Sequence, residues 1–152
     1  MRNLVIAIAI AMAMSTATPL TASDYVDVMA VVHRWADAFG RRSFNTDIAP
    51  CAEDAVVIDD LPPHVWQGPG ACSRWFNSFE TWASKAGATN AVITLGEIRH
   101  LDFDGDFAYL VAPVTLSYIK LGEPVNFLGM ITMTLRKRES AWRISGVAWA
   151  DQ

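Results

Sequence analysis

The chain has 152 residues, a formal net charge of −4, 52% hydrophobic and only 18% charged residues. That length sets one domain as the prior, and that composition excludes a disordered chain. An acidic domain without clusters of Lys or Arg also argues against nucleic acid and anionic membranes as partners.

Residues 1–22 have the layout of a secretory signal peptide. Arg2 is a short positive start, and Leu4 to Met14 is an apolar run too short to span a bilayer. Ser15 to Ala22 is small and polar, with Pro19 breaking any helix. Cleavage is expected after Ala22, with Ala17 as a second possibility and an uncleaved membrane anchor as the alternative. Residues 23–152 then form a single domain of about 130 residues, enough for one buried core. The expected location is secreted, periplasmic, with no membrane contact after cleavage.

From Asp24 to Gly40, Tyr25, Val28, Met29, Val32, Trp35, Ala36 and Phe39 recur at spacings of three and four, which predicts an amphipathic helix. Ser23 suits its start and Gly40 its end. His33 borders the apolar stripe. A short second helix is expected over Thr46 to Cys51, then a strand from Ala55 to Asp59. Pro62 and Pro63 end that strand, because proline lacks a ladder donor. After a break at Gly68 to Gly70, Cys72, Trp75, Phe76, Phe79, Trp82 and Ala83 predict a helix over Ala71 to Ala86, capped by Gly87.

The remainder reads as four long strands: Ala91–Phe103, Asp106–Lys120, Val125–Arg138 and Ala141–Trp149. Asp104-Gly105, Leu121 to Pro124, and Glu139-Ser140 are the turns between them. Helices segregated from an antiparallel meander give an α+β fold. Long strands must curl, so the expectation is a cone-shaped curved antiparallel sheet with three N-terminal helices enclosing a pocket.

The two cysteines, Cys51 and Cys72, suit a disulfide in an oxidising compartment. It would close a ring of about 22 residues, worth roughly 3 kcal/mol in the chain-entropy model. Two free, separately buried thiols are the alternative.

This order resembles the nuclear transport factor 2-like superfamily, and specifically its SnoaL-like and ketosteroid isomerase-like members. MAVVHRWADAF, residues 29–39, is similar to the isomerase's first helix, and AEDAVVIDD, residues 52–60, to its second-helix exit and first strand. Gly68 falls where that family keeps a Gly before the third helix. The resemblance implies the cone fold over essentially the whole chain after the leader. It also implies that Asp59 occupies the position of a general base, which abstracts a proton α to a carbonyl. Two of the isomerase's catalytic positions differ here. Trp35 stands where the family has an oxyanion-binding tyrosine, and residues 127–135, FLGMITMTL, contain no acid to serve as the second donor. Losing one such donor typically costs about a hundred- to a thousand-fold in rate.

Strand alternation lets only one of Asp59 and Asp60 face the cavity, and the resemblance implies that it is Asp59, with Asp60 facing away. A carboxyl against apolar walls has a raised pKa and serves as a base near neutral pH. The alternative is that both acids end the strand in solvent. His64 is a candidate polar partner, or a surface-loop histidine. His100 lies on either face. Trp66 beside Gly68 is placed at the pocket rim. On the second long strand, Leu110, Ala112, Val114, Leu116 and Tyr118 share one face. By the resemblance they line the cavity, with Tyr118 as a candidate hydrogen-bond donor or an ordinary strand-end tyrosine. Tyr109, Val111, Pro113, Thr115, Ser117 and Ile119 form the opposite face, too apolar to be wetted. That predicts a homodimer through the sheet.

Neither a phosphate-binding loop, a dinucleotide fingerprint nor a zinc-protease motif appears, so no cofactor and no metal are expected. The functional expectation is an exported domain that binds a small hydrophobic molecule. It would act as a cofactor-free isomerase, lyase or cyclase with Asp59 as base on a small apolar carbonyl compound. The alternatives are a non-catalytic hydrophobic-ligand binder and a dimeric assembly module.

Overall fold

A computed structural model describes residues 22–41 and 51–152. The expected leader, apart from Ala22, and the expected second helix up to Pro50 lie outside the described residues.

Helix α1 spans Ala22–Arg41. Val28, Val31, Val32, Trp35, Ala36 and Phe39 make its buried stripe, while Tyr25 of the expected stripe is exposed and Met29 is only partly buried. Its first turn is tied to the sheet by Asp24. That buried carboxylate accepts hydrogen bonds from Lys137 Nζ at 2.6 Å and Trp142 Nε1 at 3.0 Å. The negative charge also complements the helix N-terminus. Asp24→Ala leaves the Trp142 N–H buried without its acceptor, so a loss of about 2 kcal/mol is expected from urea unfolding midpoints.

Strand β1 runs from Cys51 to Ile58, and a short β2, Val65–Gln67, folds back on it. Cys51 thus opens a strand rather than closing a helix. Helix α2 covers Ala71–Ala86 and ends at Gly87, whose left-handed backbone lets its N–H reach the carbonyls of Ala83 and Ser84. The remaining strands are β3 (Ala88–Leu95), β4 (His100–Asp104), β5 (Phe107–Lys120), β6 (Glu123–Arg138) and β7 (Ala141–Asp151).

The sheet is ordered β2-β1-β7-β6-β5-β3, with β4 also paired to β5. It is a curved, unclosed, mixed sheet of seven strands rather than a purely antiparallel one, because β1 runs parallel to β7. Two helices, not three, are found among the described residues.

The expected strand over Ala91–Phe103 is two strands. Leu95 pairs with Val114 and His100 with Val111, so Gly96 to Arg99 face only Ala112 and Pro113. The extra residues bulge out because Pro113 lacks a backbone N–H. Gly96 fits against it only without a side chain, since a Cβ there would lie 2.8 Å from Pro113 Cγ.

The core lies between the inner sheet face and the two helices. Leu110, Ala112 and Val114 of β5 and Ile131, Met133 and Leu135 of β6 meet Val28, Val32 and Trp35 of α1. Cys51 and Cys72 are disulfide-bonded, with Cα atoms 6.5 Å apart, joining β1 to the first turn of α2. No described helix is long and apolar enough to cross a membrane.

Candidate functional site

The loop between β1 and β2 positions the acids. Asp59 N donates to His64 O at 3.0 Å, and His64 N donates to Leu61 O at 2.7 Å, which closes the loop over the two prolines. Asp59 Oδ1 accepts from Leu61 N at 2.9 Å, a local turn typical of aspartate. Asp59 Oδ2 accepts from Trp75 Nε1 at 2.9 Å, a bond from the second turn of α2. Each carboxylate oxygen is therefore held by one N–H and keeps a lone pair for a further partner.

Asp59 is half-buried, and desolvation pushes its pKa up to about 6. The Leu61 and Trp75 donors oppose that rise, and the neighbouring Asp60 carboxyl adds to it as a hydrogen-bond partner and like charge.

These groups line a cavity of about 140 Å³. Asp59, Asp60, Leu61 and Trp75 share its lining with Phe39, Phe79 and Trp82 of the helices. Ile93, Leu116, Tyr118, Phe127 and Trp149 of the sheet complete it. The Trp82 and Tyr118 rings meet edge to face at 5.7 Å, while Phe127 and Trp149 stack at 6.3 Å.

The cavity brings together only some of the residues expected at it. Asp59, Leu116 and Tyr118 line it. Asp60 lines it too, contrary to the alternation argument, because the strand ends at Ile58 and both acids belong to the loop. Leu110, Ala112 and Val114 are fully buried core residues, since the helices close down on that part of the sheet. Trp35 lies outside the cavity lining, stacked on Trp75 at 6.0 Å with its planes only 5° apart. Its Nε1 is buried without a hydrogen-bond partner. Trp66 is not at the rim. It is buried opposite Val57, where β2 turns it inward. His64 is exposed with positive φ, its Nδ1 3.3 Å from Asp59 O, and is not part of the lining. His100 packs on Tyr109 on the outer face, and His33 is exposed.

Trp75, Phe79, Trp82, Phe127 and Trp149 were not assigned to the site from the sequence. The first three read as helix core, and nothing local shows where the second half of α2 runs past the covered part of the sheet. Trp149 carried a usable signal: it shares the inward face with Val147, and cross-strand register places it opposite Ile131. It lies across Gly129, where an added Cβ would sit 2.5 Å from its ring. Gly129→Ala must displace Trp149. An overpacking loss of about 2 kcal/mol is expected in chemical unfolding, with an altered near-ultraviolet circular dichroism signal.

Among the described residues no group of three or more His, Cys, Asp or Glu is arranged to hold a metal ion. The chemistry the arrangement supports is proton transfer or ligand binding at a half-buried carboxyl facing aromatic walls.

Comparison with solved structures shows the same fold at low identity. A protein with a cystatin-like fold from Nostoc punctiforme matches with a TM-score of 0.70 and 12% identity, covering 89% of this chain and 96% of the other. A nuclear transport factor 2-like protein with a cystatin-like fold from Novosphingobium aromaticivorans matches with a TM-score of 0.70 and 14% identity, covering 85% and 82%. The crystal structure of LinA matches with a TM-score of 0.70 and 14% identity, covering 86% of each chain. Among curated proteins there is no significant match. The family model for the SnoaL-like domain matches residues 28–147. With that match, and with the curved sheet and its covering helices, the chain belongs to the SnoaL-like domain family.

Proposed function

We propose that this domain binds a small molecule in the aromatic cavity. There Asp59 acts as the general base of a cofactor-free isomerase, lyase or cyclase reaction on a carbonyl compound. The observation that carries this reading is the carboxyl of Asp59. It faces the cavity, is held by Leu61 N–H and Trp75 Nε1–H, and has a pKa pushed up to about 6. A base with that pKa is ionised at neutral pH and still a competent proton acceptor. Tyr118 lines the same cavity and supplies a hydroxyl donor for developing charge on the carbonyl oxygen. The test is turnover of a panel of enolisable ketones by the wild type and by Asp59→Asn. No turnover by either protein, or equal rates, removes the base from the reading.

Non-catalytic ligand binding is the second reading. It is favoured by Trp35 in the position of the family's oxyanion tyrosine, with its N–H outside the cavity lining, and by the absence of an acid over residues 127–135. Native mass spectrometry that finds a retained small molecule, without turnover, supports it.

The outer sheet face supports a proposed homodimer. Tyr109, Val92 and Leu128 are exposed there, at 43%, 43% and 58%. Val111, Pro113 and Thr115 lie between them, half-buried. The apolar leader and the Cys51–Cys72 bond support export to an oxidising compartment.

A further inference from the structure

We propose that the cavity is a cage for an organic cation, specifically a methylated ammonium group, with Asp59 and Asp60 as its counter-charge. The inference goes beyond the assignment of Asp59 as a base and does not depend on it.

Three features of the cavity converge on this class. The first is the aromatic wall. Trp75, Phe79, Trp82, Tyr118, Phe127 and Trp149 line one small space. Trp82 and Tyr118 meet edge to face there, with their ring planes at 87°. The negative faces of such rings attract a cation within about 6 Å, and several rings around one site are how alkylated ammonium groups are recognised.

The second is charge. Two acids belong to the lining, the half-buried Asp59 and the exposed Asp60, and no Lys, Arg or His is among the described residues that line the cavity. Lys85 belongs to a neighbouring outer groove, which shares Leu61 and Trp82 with the cavity. An anionic ligand would meet two like charges without a basic partner. A neutral ligand brings no charge to answer the two acids. A cation supplies the missing counter-charge.

The third is the choice between a protonated primary amine and a methylated ammonium. Each oxygen of Asp59 already accepts one hydrogen bond, from Leu61 N or Trp75 Nε1, which leaves the carboxylate two lone pairs. A primary ammonium brings three donors that need acceptors. A methylated ammonium needs π-faces and a nearby negative charge, which is what the lining offers. The volume of about 140 Å³ is below the roughly 300–1,000 Å³ of drug-sized sites and suits a headgroup.

The experiment is calorimetric titration of the purified protein at pH 8 with choline and with its neutral isostere 3,3-dimethylbutan-1-ol. Choline is expected to bind on the order of tenfold or more tightly than the isostere. Trp82→Leu and Asp60→Asn should each erode that preference, with circular dichroism checking that each variant folds. Equal binding of the two compounds, tighter binding of the alcohol, or no binding of either overturns the proposal. So does a choline preference that both folded variants retain. Ketone turnover without choline binding removes only this inference, whereas choline binding without ketone turnover removes only the catalytic base.

Discussion

Asp59→Asn is expected to lower kcat/KM on an enolisable ketone by about 10²–10⁴-fold, the usual contribution of a positioned base. An amide keeps the shape and still accepts from Leu61 N–H, but it does not take a proton. The wild-type pH profile should rise through about 6 and then level, because only the ionised carboxylate is a base. Two neighbours should move that midpoint in opposite directions. Trp75→Phe removes a donor that stabilises the ionised form, so the midpoint rises. Asp60→Asn removes a like charge and a carboxyl partner, so the midpoint falls. A merely structural role for Asp59 would move neither.

The same shift sets a sign for stability. With a folded pKa raised above its unfolded value, Asp59 binds more protons in the native state between about pH 4 and pH 6. Native stability from this group therefore falls as pH rises through that window. Asp59→Asn should gain in Tm relative to wild type above pH 6, and the gain should vanish below about pH 4. Thermal unfolding at pH 4 and pH 8 reads this directly. A gain of equal size at both values would show that solvation of the charge is not the cause.

Removal of the Cys51–Cys72 bond is expected to cost about 3 kcal/mol, the chain-entropy value for a ring of this length. For a domain of this size that lowers Tm by about 10 °C. The ring contains β1, the acidic loop and β2, and Trp75 follows Cys72 by less than one helical turn. The bond therefore holds together the two segments whose contact is the Trp75–Asp59 hydrogen bond. Reduction should loosen the site as well as the fold. A Cys51→Ala/Cys72→Ala variant, compared with wild type in urea with and without reductant, measures the loss. A midpoint unchanged by reductant in the wild type would show that the ring adds nothing.

The α+β class, α2 with its Gly87 cap and the last three hairpin strands were legible locally. In each, the apolar period and the turn residues agree, so short-range physics and the final fold point the same way. The prospect of a Cys51–Cys72 bond was legible in the same way, from two cysteines in a chain whose first residues read as an expected secretory leader. The expected alternation of Asp59 and Asp60 failed because it extended strand geometry two residues past Ile58, into a loop held by its own hydrogen bonds. The break after Leu95 was missed because its cause sits on the partner strand, in the missing N–H of Pro113.

The boundary between core and cavity was settled only by tertiary structure. Leu110 and Leu116 share a strand, a face and a chemistry. The first is covered by the helices, and the second opens on the cavity. Trp35 and Trp75 both read as helix core, yet the N–H of Trp75 meets Asp59 and that of Trp35 meets no acceptor. Periodicity reports which face of an element turns inward. How far a facing helix extends over that face depends on where two elements cross, and that crossing decides which apolar side chains pack and which line a space.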